Sequence, residues 1–141
     1  MDLLLARLPE KLDAEHPIII EEFSALNLAR KNDAVSVMIA MLSELAQDGR
    51  ECRFIKSLQG FPLSELKPKI RGGQQGGARV YFWIVDDEGA GVVNCEVKEH
   101  DAPASQAQIK QAFKVYLAHQ QGIAVVGSHS EDTTADDRSK R

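Results

Sequence analysis

The stretch ARVYFWIVD, at residues 78–86, decides the fold more than any other part of the sequence. It is rich in β-branched and aromatic residues, which favour strands. Because successive side chains of a strand point in opposite directions, the stretch predicts two different faces. One face carries Val80, Phe82 and Ile84, and the other carries Arg79, Tyr81 and Trp83. The sequence therefore predicts a strand with one apolar face and one face of mixed character.

Strong turn signals border this strand on both sides. GGQQGG at residues 72–77 precedes it, and DDEG at residues 86–89 follows it. Beyond the turns, SELKPKIR at residues 64–71 and GVVNCEVKEH at residues 91–100 also alternate with a period of two, which predicts a three-strand antiparallel meander. Pro68 cannot donate to a strand ladder, so either the strand at residues 64–71 is an edge strand or its register breaks there.

The remainder of the chain is predicted to supply one more strand and the helices. PIIIEEF at residues 17–23 favours a first strand, while residues 1–16 favour a short amphipathic helix. Residues 26–47 predict one or two helices that end at Gly49, and residues 105–122 predict the last helix. The predicted fold is α+β, with an antiparallel sheet (the N-terminal strand plus the meander) and helices on one face.

Composition indicates a single globular domain. The 141 residues are 43% hydrophobic and 27% charged, which is typical of a chain that buries a core. We divide the chain into an N-terminal extension at residues 1–17, a domain at residues 18–126 and a flexible polar tail at residues 127–141. No apolar run is long enough to span a membrane and no export signal is readable, so we expect a cytoplasmic protein with no membrane partner.

The cysteines and histidines predict neither a disulfide framework nor a metal site. Cys52 and Cys95 are the only two cysteines and belong to no CxxC pair. The four histidines show none of the spacings of metal-ligand motifs. We therefore expect no metal and no other cofactor.

Positive charge is concentrated in one part of an acidic chain. The net charge is −4, yet residues 50–79 contain seven cations and two acids, a local charge of +5. Salt screens charges beyond about 8–10 Å, so a local basic patch attracts phosphates even on an acidic protein. The alternative is an ordinary solvated face.

The polar faces of the three meander strands are predicted to coincide. On the third strand, Val93, Cys95 and Val97 oppose the polar set. The shared face collects five cations, two aromatic residues and an acid–base pair: Lys67, Lys69, Arg71, Arg79, Lys98, Tyr81, Trp83, Glu96 and His100. Tyr81 and Trp83 on such a face are typical of stacking platforms for nucleobases. We interpret the face as a nucleic-acid surface, although an exposed sheet face is polar in any case.

An ordered set of phrases resembles the HigB-like branch of the RelE toxin superfamily. They are LSELAQDGRE at residues 42–51, KSLQG at 56–60, LSELK at 63–67, RVYFW at 79–83 and a final segment at 102–112. Together they cover about half of the chain in the family's order.

The resemblance implies a bacterial or phage-derived endoribonuclease that cuts messenger RNA on the ribosome and is held inactive by an antitoxin. Such an enzyme needs no metal, because the ribose 2′-OH attacks the adjacent phosphate while basic residues stabilise the developing charge. The resemblance assigns Arg79 and Lys67 to the phosphate, and the strand alternation adds Glu96 and His100 as an acid–base pair, so the candidate catalytic set is Arg79, Lys67, Glu96 and His100. The basic segment and the shared strand face supply the candidate RNA-binding set of Lys56, Lys69, Arg71, Tyr81, Trp83 and Lys98.

Two departures from the family leave alternatives open. Toxins of this type are usually basic, whereas this chain has a pI of about 5.6, and Lys67 replaces a family arginine. A catalytically inert relative that binds RNA or a protein through the same face is one alternative. An unrelated α+β protein is the other.

Overall fold

Residues 1–98 and 105–127, which the computed structural model describes, form an α+β fold with a five-stranded sheet. The strands are β1 (Asp2–Leu5), β2 (Ile55–Ser57), β3 (Ser64–Leu66), β4 (Ala78–Asp86) and β5 (Gly89–Val97). The helices are α1 (Ile18–Leu28), α2 (Asn32–Asp48), α3 (Gly73–Gly77) and α4 (Gln106–Gln120). Within these described ranges, none of the helices has the length and apolar content needed to cross a bilayer.

The sheet is mixed rather than antiparallel throughout. Its strand order is β1-β5-β4-β3-β2, and consecutive strands from β2 to β5 pair antiparallel. β1 pairs parallel with β5, which corrects the prediction of an all-antiparallel sheet. The predicted meander is confirmed, and β4 has the predicted bounds. The turn into β5 is closed by the Asp86 carboxylate, which accepts a hydrogen bond from the Glu88 backbone N–H at 2.8 Å.

Helices cover both faces of the sheet, so the prediction of helices on one face is wrong. Val80 and Phe82 pack in a core with residues of α1 and α2, among them Met38. Tyr81 and Trp83 pack in a second core with residues of α4. The alternation of β4 was predicted correctly, but the face that was expected to be open lies largely beneath α4.

The first two predicted elements are exchanged in the structure. Residues 1–16 contain β1 and a short 3₁₀ turn instead of a helix, and residues 17–23 begin α1 instead of a strand. In β1, Leu4 packs in the α4-side core, while its neighbours Leu3 and Leu5 pack in the other. A short apolar run does not distinguish a buried strand from a buried helix, so tertiary contacts decide.

The strand predicted at residues 64–71 is shorter, because its register breaks before Pro68. β3 ends at Leu66, and the Lys67 N–H makes the last pairing, with the Phe54 carbonyl at 2.9 Å. The chain then turns at Gly72 and Gly73, whose φ angles of +77° and +65° suit residues without a Cβ. The predicted turn at residues 72–77 thus becomes α3.

A bulge in β5 changes the faces that were predicted for this strand. Tyr81 is opposite Asn94 and Phe82 is opposite Val92, so Val93 has no partner across the ladder. Val93 therefore packs in the α4-side core, whereas Cys95 packs in the other core. The prediction that Val93 and Cys95 share a face is wrong.

Candidate functional site

A cleft of about 750 Å³ lies where β2 and β3 meet the chain around α3. Five of its lining side chains are cations, and none is a carboxylate: Lys56, Lys67, Lys69, Arg71 and Arg79. The other lining residues are Phe54, Ile55, Pro68, Ile70, Gly72 and Gly76. All five cations belong to the sets proposed from the sequence.

The cleft is formed by a change of chain direction and not by one strand face. After β3, residues 67–72 leave the sheet, and α3 leads the chain back to Arg79 on β4. Lys67, Lys69 and Arg71 are exposed along this segment. They were predicted to share the face of one strand, and they come together because the strand ends early.

Arg79 differs from the other four cations because its side chain is buried. It is only 6% exposed, and its Nη1 donates to the Gly76 and Ala78 carbonyls at 2.8 Å each. Its Nε has no hydrogen-bond partner among the described residues. A buried donor that is left unpaired costs about 1–3 kcal/mol, so this Nε is a candidate for a hydrogen bond to a group other than the described residues.

Glu96 lies beside Arg79 and is held by two hydrogen bonds. The two residues are partners across the β4–β5 ladder. The Tyr81 hydroxyl donates to Glu96 Oε2 at 2.5 Å, and the Ser105 N–H donates to the same oxygen at 3.0 Å. Burial and the adjacent Glu96 carboxylate raise the pKa of Tyr81 well above its usual range. Tyr81 therefore remains a protonated hydrogen-bond donor to Glu96.

Lys98 extends the positive field from the cleft towards Glu96. Partial burial and the neighbouring charge of Arg79 lower its pKa, with a smaller contribution from Lys67, while Glu65 and Glu96 act in the opposite direction. Glu65 is 5% exposed, and its Oε2 has no partner within the described residues.

Tyr81 and Trp83 do not form an exposed stacking surface. Their exposures are 0% and 2%. The Trp83 ring makes an edge contact with Tyr116 at a centroid distance of 5.9 Å, and a Cβ added to Gly91 would lie 2.5 Å from the ring. The prediction of two accessible aromatic platforms is therefore wrong, because α4 covers them.

Two further points concern the predicted chemistry. His100, proposed as half of an acid–base pair with Glu96, lies outside the described residues. Within residues 1–98 and 105–127, no group of three or more His, Cys, Asp or Glu side chains is placed to hold a metal ion.

Sequence reasoning missed Phe54 and Ile70 as lining residues of the cleft. Phe54 precedes β2, a three-residue strand that is too short to show a period-two pattern. Ile70 belongs to the segment 64–71 that was predicted as one strand, but β3 ends before it and its side chain is 52% exposed. Pro68, which cannot donate to a strand ladder, was the available signal that β3 ends early.

The chain matches no family model, no curated protein and no solved structure. The function is therefore inferred from the fold and the cleft.

Proposed function

We propose that this protein binds RNA in the basic cleft and is a metal-independent endoribonuclease, a toxin that cuts messenger RNA on the ribosome and is neutralised by an antitoxin. One observation carries the RNA-binding part of the proposal, whereas cleavage, the ribosome and the antitoxin are taken from the sequence resemblance. Five cations line a single cleft without a lining carboxylate, and one of them, Arg79, is buried with an unpaired Nε. Such a site suits a ligand with several closely spaced negative charges.

The charge of the cleft favours a phosphate backbone over a single small anion. Four of the cations are exposed and line the same cleft, a number that suits several phosphates of one chain better than one small anion. The net charge of −4 disfavours indiscriminate contact of the whole surface with nucleic acid. Binding would therefore be confined to the cleft.

The proposed cleavage uses the RNA's own 2′-hydroxyl as nucleophile. Glu96 does not line the cleft but pairs with Arg79 across the β4–β5 ladder, and in this scheme it accepts the 2′-OH proton. The 2′-oxygen attacks the adjacent phosphorus, and the bond to the 5′-oxygen breaks. The products are a 2′,3′-cyclic phosphate and a 5′-hydroxyl, whose proton comes from His100 in this scheme. Arg79 and Lys67 stabilise the negative charge that accumulates on the phosphate oxygens.

A catalytically inert RNA-binding protein is the second candidate. The observation that favours it is the double hydrogen bond on Glu96 Oε2, from Tyr81 and from Ser105. A carboxylate held in this way is also a common structural link between a strand and a helix start. The two candidates share the cleft and differ only in chemistry.

Binding is tested by the salt dependence of affinity for a fluorescent single-stranded RNA. Each phosphate that the cleft neutralises should contribute about −0.7 to the slope of log K against log salt. Lys69→Gln should weaken binding and make the slope shallower. Lys110→Gln, at an exposed position on α4, should change neither quantity. Equal effects of the two substitutions would exclude the cleft as the RNA site.

Cleavage is tested with translating ribosomes, messenger RNA and a chelator of divalent metals. The proposal expects cuts that leave 2′,3′-cyclic phosphates, and growth arrest when the protein is produced in cells. Arg79→Lys, which keeps the charge but loses the planar fork, should reduce the rate by roughly 10²-fold. RNA that is bound but never cut, with normal growth, would favour the inert protein.

A further inference from the structure

We infer that the apolar part of the basic cleft binds a nucleobase, so that the ligand is a single-stranded polynucleotide and not simply a polyanion; this inference rests on the proposed RNA binding. The cleft is not uniformly charged. Phe54, Ile55, Pro68 and Ile70 line it together with the cations. A nucleotide has the same two parts, a phosphate and an apolar ring with two faces.

Phe54 is held in a fixed orientation at the cleft. The Arg53 guanidinium lies 4.7 Å from the centroid of the Phe54 ring. Arg53 in turn donates two hydrogen bonds to the Glu44 carboxylate of α2, at 3.2 and 3.1 Å. The ring also packs against the core beneath α1 and α2. An aromatic ring with few remaining conformations loses little entropy when a base contacts it.

Ile70 supplies an exposed apolar surface between two cations. It is 52% exposed, although most aliphatic side chains of this size are buried, and its sequence neighbours are Lys69 and Arg71. A base placed against Ile70 would bury apolar area while Lys69 and Arg71 reach its flanking phosphates. A polyanion without bases would leave Ile70 in water.

The size of the cleft suits one nucleotide, and the need for an accessible base favours an unpaired strand. A volume of about 750 Å³ is within the usual range for small-molecule pockets of roughly 300–1,000 Å³ and is ample for one nucleotide. In a duplex the faces of each base are covered by its neighbours, so only an unpaired strand offers a base for contact with protein side chains. The expected preference is therefore for single strands.

The test compares a single-stranded RNA of about ten nucleotides, its duplex, and an inorganic polyphosphate with as many phosphates as the single strand, all at equal phosphate concentration. The wild-type protein should bind the single strand roughly tenfold more tightly per site than either of the others, the size expected for one base contact. Ile70→Ser and Phe54→Leu should reduce this preference severalfold. Their salt slopes should equal that of the wild type, because neither substitution removes a charge.

Ile39→Ser is the matched control. Ile39 is also 52% exposed, but it lies on α2 and does not line the cleft. The Ile39→Ser variant should therefore keep the wild-type preference for single-stranded RNA. Equal affinity of the wild type for RNA and polyphosphate, with Ile70→Ser and Phe54→Leu silent, would overturn the nucleobase inference and leave the polyanion site intact. Failure to bind either polymer would overturn the proposed function itself.

Discussion

The Glu22 carboxylate on α1 accepts a hydrogen bond from the Cys95 backbone N–H of β5 at 2.8 Å. Gln108 of α4 donates to the other Glu22 oxygen at 2.9 Å and also donates to the Cys95 carbonyl. β1 pairs with β5 only as far as Val92. Beyond Val92, the side chains of Glu22 and Gln108 make the hydrogen bonds to the Cys95 backbone that a neighbouring strand would otherwise make. Glu22 and Gln108 thereby occupy a strand edge that could otherwise pair with another chain.

The Glu22 contact makes stability depend on pH. Burial raises the pKa of Glu22, with hydrogen bonds from Gln108 and Cys95 acting in the opposite direction. The folded state therefore retains the Glu22 proton at pH values where the unfolded state has lost it, and this contribution to stability is lost as pH rises. Relative to Glu22→Gln, the wild type should gain unfolding free energy as pH falls from about 7 to about 5.

Urea unfolding at several pH values measures this difference. Glu21→Gln, at an exposed position beside Glu22 on α1, is the control. The difference in unfolding free energy between Glu21→Gln and the wild type should change less between about pH 7 and about pH 5. The prediction would be wrong if the unfolding free energy of the wild type, relative to that of Glu22→Gln, decreased as the pH falls.

Tyr81→Phe tests the hydrogen bond between Tyr81 and Glu96. The substitution keeps the buried ring and removes only the hydroxyl, which makes a charged hydrogen bond at 2.5 Å. Hydrogen bonds to charged groups contribute about 1.5–3 kcal/mol, so we expect a loss of that order in unfolding free energy. Tyr116→Phe, which removes a hydroxyl that makes no hydrogen bond within the described residues, should cost less. Similar losses for both would mean that the Glu96 bond contributes little.

Gly77→Ala should disturb the join between α3 and β5. A Cβ on Gly77 would lie 2.1 Å from the Lys98 carbonyl oxygen, and the Lys98 N–H donates to the Gly77 carbonyl at 2.8 Å. Two backbones this close must separate to admit a methyl group, at a cost of about 1–3 kcal/mol in thermal or urea unfolding. The Gly77→Ala variant should also bind RNA less tightly, because α3 and Arg79 adjoin the same cleft.

Gly60→Ala is the comparison for Gly77→Ala. Gly60 has a φ of +85° with open space around it, and it does not line the cleft. The Gly60→Ala variant should lose about 1 kcal/mol of unfolding free energy through backbone strain, and its RNA affinity should equal that of the wild type. An unchanged stability of Gly77→Ala would show that the two segments do not need their close approach.

Both cysteines should resist thiol reagents in the native protein. Cys52 and Cys95 are 5% and 3% exposed. Burial is the main cause that raises the pKa of each thiol, and at Cys95 the Glu22 charge acts in the same direction. Since the thiolate is the reactive form, labelling at neutral pH should require opening of the fold. Mass spectrometry should find both unlabelled without denaturant and labelled in it; rapid native labelling of Cys95 would contradict the burial of β5.

Local patterns predicted a substantial part of the fold. The bounds of β4, the turn into β5, the stop of α2 at Gly49 and the last helix after Ser105 all follow from alternation, turn residues or cap residues. These features depend on neighbours in the chain, which is why a single sequence reveals them. The cations of the cleft were also identified from the sequence, because their clustering between residues 50 and 79 is visible in one dimension.

Other features depended on distant contacts. The three β-branched residues at 18–20 begin a helix and not a strand, and Ile19 packs in a core shared with Met38 and Phe82. Trp83 is buried because α4 packs over it. Val93 lies on the opposite face from Cys95 because Val93 itself has no partner in the β4–β5 ladder. No local pattern encodes these choices, because an amphipathic helix packs equally well on either apolar sheet face until the whole chain is placed.

The sequence by itself determined the alternation of β4, the turns beside it and the concentration of positive charge. Each of these follows from the conformational limits or the charge of residues that are adjacent in the chain. Only the tertiary structure decided that α4 covers Tyr81 and Trp83, and that residues 67–72 leave the sheet so that Lys67, Lys69 and Arg71 line one cleft with Arg79. The physical reason is that burial is a property of the complete chain, since a side chain leaves water only when a distant segment covers it.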